Sequence, residues 1–245
     1  MLNSKHIFPV FFFIFQTITV LGQTELTPKE SYLSFDKLIG YENTGIYNGI
    51  LYTEKYRSIG ENHKFYSTSE FVKGNIIYNG QPYYDIKMKY DIYEDAIIVK
   101  LPSLTAYIII QLIDNKIDQF SINDRRFINF NKKNKELKPD SLLGFYEILF
   151  ESKQINLLKK NKKSRNERIQ EKFIYSRFKD ESSYFIKSVG TYYKVNSKKD
   201  MKTLYPNLKK NISLFYSSHK KQLKSNRDKF MIDLTKMINS LLINQ

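Results

Sequence analysis

Four carboxylates, Asp85, Asp91, Glu94 and Asp95, lie close together in an otherwise chemically sparse chain. Two carboxyl groups about 5 to 9 Å apart across a glycosidic bond can serve as acid and base, or as acid and nucleophile. A cluster of that kind can also hold a hard cation. The neighbouring lysines, Lys87 and Lys89, offer plain ion pairs instead, and Tyr93-Glu94-Asp95 reads as a solvated turn. Other chemistries lack their parts. The chain has no cysteine, which removes thiol catalysis, Cys-ligated zinc and iron–sulfur chemistry. Beyond His6, the histidines are His63 and His219, far apart and in segments of different character, so no zinc site is expected. We find no G-x-S-x-G elbow, Walker loop or dinucleotide fingerprint, and expect no cofactor. The absence of tryptophan removes the strongest stacking platform for sugars, although 19 tyrosines remain.

The sharpest local feature is basic. Lys159, Lys160, Lys162, Lys163, Arg165 and Arg168 crowd into ten residues between two predicted strands. This pattern reads as a long, mobile hairpin tip. Such a cluster attracts phosphates by releasing counterions, with steep salt dependence. Without interleaved aromatic residues it does not suggest specific nucleic-acid binding. For an exported chain the matching partner is anionic lipid or lipopolysaccharide, and the plain alternative is a solubilising loop. The wider charge distribution agrees. Residues 23–130 hold 12 Lys and Arg against 14 Asp and Glu, whereas residues 131–245 hold 27 against 11. A basic half beside a near-neutral one points to an anionic partner, or to a lysine-rich solvated surface.

These side chains need elements to carry them. Residues 1–22 read as a cleavable signal peptide. Lys5 and His6 supply the basic start, Ile7 to Phe15 and Ile18 to Leu21 the apolar run, and Val20 and Gly22 the small residues at the cleavage point. Pro9, Gln16, Thr17 and Thr19 interrupt the run, so an uncleaved anchor is the weaker expectation, and no later segment is long enough to span a bilayer. Thr27-Pro28-Lys29-Glu30 starts a short helix with a capping box. From Gly45 the signal turns to β. Asn79-Gly80 between apolar runs marks a tight hairpin, and Tyr84, Ile86, Met88 and Tyr90 alternate with Asp85, Lys87, Lys89 and Asp91, which places Asp85 and Asp91 on a wet face. Further short strands follow through Val195 with turn signals at intervals of 8 to 12 residues. After Asn196 the period becomes helical. Ser197 and Asn226 serve as caps, and Phe230, Leu234, Met237 and Leu241 form a stripe suited to docking on a sheet.

The expected fold class is therefore α+β: an antiparallel β-meander over residues 23–195, as a curved sheet or partly closed barrel, followed by two or three helices over 196–245. The run Gly74 to Asp91 and the sequence Tyr192-Tyr193-Lys194-Val195 before a lysine-rich helical end resemble exported proteins of Bacteroidota. The resemblance implies the compartment and the architecture, and no activity. Together these features point to an exported, non-enzymatic binding or envelope-interaction protein, periplasmic or extracellular, holding an apolar or lipid-like ligand between sheet and helices. A carboxylate-based hydrolase of envelope or extracellular polymers and a structural adhesion protein without a ligand cavity are the alternatives.

Overall fold

A computed structural model describes residues 26–103, 106–130, 142–170 and 172–243. The expected signal peptide, residues 1–22, and the lysine-rich connection 131–141 lie outside the described residues. Helix α1 (Pro28–Ile39) opens on the expected capping box, in which the Thr27 side chain accepts from the Glu30 amide and Glu30 accepts from the Thr27 amide. The expectation of β-structure from Gly45 fails over the next stretch. Two short 3-10 turns lead to β1 (Ile50–Leu51), and the chain then runs irregularly to Val72.

The meander proper comprises β2 (Val72–Tyr78), β3 (Gln81–Asp91), β4 (Ala96–Pro102), β5 (Tyr107–Gln111), β6 (Ile117–Ile122), β7 (Arg125–Asn129), β8 (Phe145–Phe150), β9 (Ile155–Lys160), β12 (Ser183–Ser188) and β13 (Thr191–Lys194). With β1 they form one antiparallel sheet of 11 strands in the order β1-β5-β4-β3-β2-β6-β7-β8-β9-β12-β13. The ends of that order do not pair, so the sheet is open and not a closed barrel. Asn79 (φ 52°) and Gly80 (φ 82°) make the expected left-handed turn between β2 and β3. Strands β10 (Lys163–Gln170) and β11 (Phe173–Asp180) leave the sheet and pair only with each other, in a separate two-stranded ribbon.

Four C-terminal helices follow, one more than the upper expectation: α2 (Lys198–Leu204), α3 (Lys209–Ser218), α4 (Lys220–Ser225) and α5 (Arg227–Ile243). Ser197 and Asp200 form a second capping box, and Asn226 Oδ1 accepts from the Lys229 amide at 2.9 Å. The core has two main parts. One gathers Tyr78, Tyr83, Met88, Tyr90, Phe120, Phe127 and Phe145 along β2 to β7 and the start of β8. Within it Phe120 stacks on Phe127 at 4.6 Å, with Tyr90 and Phe145 edge-on to the pair. The other packs Ile155, Leu157 and Ile186 of the sheet against Met201, Ile212, Phe230, Leu234 and Ile238 of the helices. The stripe on α5 thus docks on β8 and β9 as expected.

Candidate functional site

The structure separates the carboxylates that the sequence groups. Asp85 sits in a β-bulge at φ 54°, where the pairing of β2 with β3 skips from Gly74↔Ile86 to Ile76↔Tyr83. A bulge inserts one residue and flips the facing of what precedes it. Tyr83 is therefore buried in place of Tyr84, and Asp85 points outward to Lys29 at 3.0 Å. Asp91 is not on a wet face. It is 1% exposed, its Oδ2 lies 2.8 Å from Lys64 Nζ, and its Oδ1 accepts from the amides of Tyr93 and Glu94. Lys64 also meets Glu54 at 3.0 Å and lies over the rings of Tyr52, Tyr56 and Phe65. Burial alone would depress this ammonium, but Asp91 and Glu54 outweigh it and hold Lys64 above its ordinary pKa. Asp95 likewise departs from a solvated turn. Its carboxylate receives the Tyr90 hydroxyl and Lys160 Nζ, each at 2.6 Å. Glu94 accepts from the Tyr56 hydroxyl at 2.7 Å. Asp85 and Asp91 thus face different neighbours, each already paired, and do not form the two-acid cleft a hydrolase requires.

Sequence reasoning missed a second polar cluster where the two cores meet. Glu147, Lys159 and Tyr184 stand side by side across β8, β9 and β12. Glu147 is 2% exposed and accepts from Asn161 at 2.8 Å; burial pushes its carboxyl above the ordinary range, against the pull of Asn161 and Lys159. Asp228, in the first turn of α5, accepts from Lys159 at 2.8 Å and from the Tyr184 hydroxyl at 2.5 Å. A cleft of about 610 Å³ opens above them. Its cations are engaged, Lys159 by Asp228 and Arg227 by the Asn196 carbonyl at 2.6 Å, and the carboxylates Asp180 and Glu181 also line it. The available signal was an acid inside an apolar run, Phe145-Tyr-Glu-Ile-Leu-Phe150.

The basic segment is not a hairpin tip. Lys159 and Lys160 end β9, Lys162 lies in the connection, and Lys163, Arg165 and Arg168 belong to strand β10. The first cations of the series serve the fold. Lys160 is bound to Asp95 and to the Leu143 and Phe145 carbonyls, and Lys163 donates to the His63 and Phe65 carbonyls. Arg165 lies 4.6 Å over the Tyr56 ring and donates to Glu167 and Ser176. The base of the ribbon is braced further by Asn62, which both donates to and accepts from the Phe178 backbone, and by the Ser176 amide, which donates to the Arg57 carbonyl. Other cations of the ribbon are different. Arg168 and Lys172 toward its end, and Arg177 and Lys179 near its base, are exposed and have no ion-pair partner among the described residues, and Arg57 lies over the rings of Phe173 and Tyr175. Beside these cations Ile169, Ile174 and Phe173 are exposed by 80%, 60% and 52%. The result is an arm with a fixed base, exposed cations along its length and exposed apolar side chains toward its end.

The space between sheet and helices is occupied by protein. Leu157, Ile186, Phe230, Leu234 and Ile238 are each fully buried there, against one another. Among the described residues no group of three or more His, Asp or Glu side chains is placed to hold a metal ion. His63 Nδ1 accepts from the Phe65 amide, and His219 stacks on Phe215 at 4.0 Å, so the two histidines serve separate local contacts. No protein-family model, curated protein or solved structure matches the chain.

Proposed function

We propose that the chain is an exported, non-enzymatic binding protein of the cell envelope that attaches to anionic lipid or lipopolysaccharide surfaces through the β10–β11 arm. The observation that carries this reading is the contrast between cations tied to the fold and cations left exposed along residues 159–179. Lys159, Lys160, Lys163 and Arg165 are tied to internal partners, whereas Arg168, Lys172, Arg177 and Lys179 stand exposed on the arm without an ion-pair partner among the described residues. Each unpaired cation near an anionic lipid surface contributes about 1 kcal/mol, and the attraction decays over a Debye length. Four such cations suffice for reversible attachment that fails in high salt. A ligand held between sheet and helices is not part of the proposal, because side chains fill that interface.

The test is co-sedimentation of the chain lacking residues 1–22 with phosphatidylcholine vesicles, with and without phosphatidylglycerol, and with lipopolysaccharide aggregates. Binding is expected to require the anionic component and to fall steeply as salt rises from about 50 to 200 mM. Charge reversal at Arg168, Arg177 and Lys179 should abolish it. Equal binding to neutral vesicles, or none at low salt to either anionic surface, would refute the proposal. Binding to only one of the two surfaces would identify the source of the phosphate.

A further inference from the structure

Lys64 and Asp91 are buried side by side near the base of the arm. Lys64 Nζ lies 2.8 Å from Asp91 Oδ2 and 3.0 Å from Glu54 Oε1. The backbone fixes the pair from both sides: Phe65 bridges to Asp91, the Tyr66 amide donates to the Tyr90 carbonyl, and the Ile92 amide donates to the Lys64 carbonyl. Glu54 is held as well, accepting from the Tyr52 hydroxyl at 2.6 Å and from the Tyr56 amide at 3.1 Å. The rings of Tyr52, Tyr56 and Phe65 stand around the Lys64 nitrogen and shield it from water. The other carboxyl oxygen, Asp91 Oδ1, receives the amides of Tyr93 and Glu94, each at 3.0 Å. A nitrogen against a carboxyl group, a second carboxylate on the same nitrogen, and two amides aimed at the far oxygen are the parts of an amide-forming site.

We propose that Lys64 and Asp91 condense to an isopeptide bond, with Glu54 as the proton carrier. Asp91 and Glu54 favour the ammonium, so the free amine arises by passing one proton to Asp91 Oδ2, which leaves the pair neutral overall. Burial favours that exchange, because it raises the Asp91 carboxyl above its ordinary value and opposes the charge on Lys64. Lys64 Nζ then attacks Asp91 Cγ. The N–C bond forms, and negative charge gathers on Oδ1, where the two amides receive it. Glu54 takes a second proton from the nitrogen and delivers it to Oδ2; the Cγ–Oδ2 bond breaks and Oδ2 leaves as water. The third proton stays on the amide nitrogen, and Glu54 ends as the carboxylate it began as. Condensation of an acid with an amine is unfavourable in dilute water, but fixed contact supplies an effective concentration of about 10⁵ M or more. The bond ties the irregular segment before β2 to the end of β3. Arg57 and Asn62 of that segment brace the arm, which thus projects from a covalently closed base.

Mass spectrometry of the purified chain lacking residues 1–22, denatured before measurement, tests the proposal. The intact mass is expected to be one water below that of the sequence. Trypsin should leave Lys64 uncut and yield a branched peptide joining residues 58–73 to residues 90–100. Glu54→Gln retains a hydrogen-bonding group at a half-exposed position but cannot carry the proton. It is expected to form the bond about a hundredfold more slowly, and so to show the full mass when freshly purified, with a thermal melt confirming that it is folded. A parent chain of full mass would overturn the proposal. So would a chain one water lighter that trypsin still cuts after Lys64, since the loss then comes from cyclisation of an aspartate. A branched peptide formed equally fast in Glu54→Gln would overturn the role of Glu54 and leave the bond standing.

Discussion

At Asp36 the chain accepts a cost that nothing nearby offsets. The residue lies on α1, is 1% exposed, and neither carboxylate oxygen has a hydrogen-bond partner among the described residues. The titratable groups around it are unhelpful: Tyr83 of β3 and Tyr41 of the following turn are phenols, and Asp85 is a like charge already paired with Lys29. Burial therefore pushes the Asp36 carboxyl up from its ordinary value. A carboxyl whose pKa is raised by folding imposes no penalty below its unfolded value near 3.9, and destabilises progressively as pH rises through the folded value. Asp36→Asn keeps the shape and removes the charge. It should stabilise the protein by about 1 to 3 kcal/mol at pH 7 and leave stability unchanged near pH 3. Urea denaturation at the two pH values is the measurement; a variant no more stable than the parent at pH 7 would mean that the carboxylate has solvent or a counter-charge after all.

At the scale of elements, the bulge at Asp85 decides which aromatic face β3 buries. The position holds φ 54°, a conformation that Asp tolerates and a β-branched residue does not. Asp85→Gly should therefore be nearly neutral, while Asp85→Val should cost about 1 to 2 kcal/mol; thermal melts of the pair compare them directly, and equal stability would show that the bulge does not depend on this residue. The same element shows what a sequence can reveal. Alternation from Ile86 to Tyr90 was legible because each apolar residue faces the core, but one inserted residue inverted the facing of Tyr83 and Tyr84 without changing the composition. Asp91 was misplaced for a related reason. Its partner Lys64 lies 27 positions away in an irregular segment, and no local pattern records such a pairing. The hairpin at Asn79-Gly80, the two capping boxes and the stripe on α5 were legible because their causes lie within a few residues. Strand β10 was not. Lys-Ser-Arg-Asn-Glu-Arg-Ile-Gln has no apolar face of its own, and is a strand only because β11 pairs with it along its whole length. The arm, and with it the proposed site, became visible only once that pairing was known.

At the scale of the molecule, the sheet is continuous while the core is divided. Strand β8 contributes Phe145 to the aromatic core and packs Leu149 and Phe150 against the helical one, so the two parts share a backbone. Between them lie Glu147, Lys159, Tyr184 and Asp228, a polar seam whose members are joined by hydrogen bonds and facing positions across neighbouring strands. Such a seam can couple the two halves or allow them to part. Coupling is favoured by the pairing that runs from β7 through β8, β9 and β12, shifted in register only between Ile148 and Phe150, since opening one half strips a hydrogen-bonded neighbour from the other. Leu234→Ala tests this from the helical side. Leu234 is fully buried in the helical core, and truncation there should cost about 2 to 5 kcal/mol. If the sheet opens as one unit, amide exchange measured by mass spectrometry should accelerate by a similar factor in β4, deep in the aromatic core, and in β9 beneath the helices. Acceleration confined to β9, β12 and α5 would instead show that the seam separates two folding units. The arm, anchored to both sides by Asn62 and by the short link from β9, would then be joined to two bodies free to open separately.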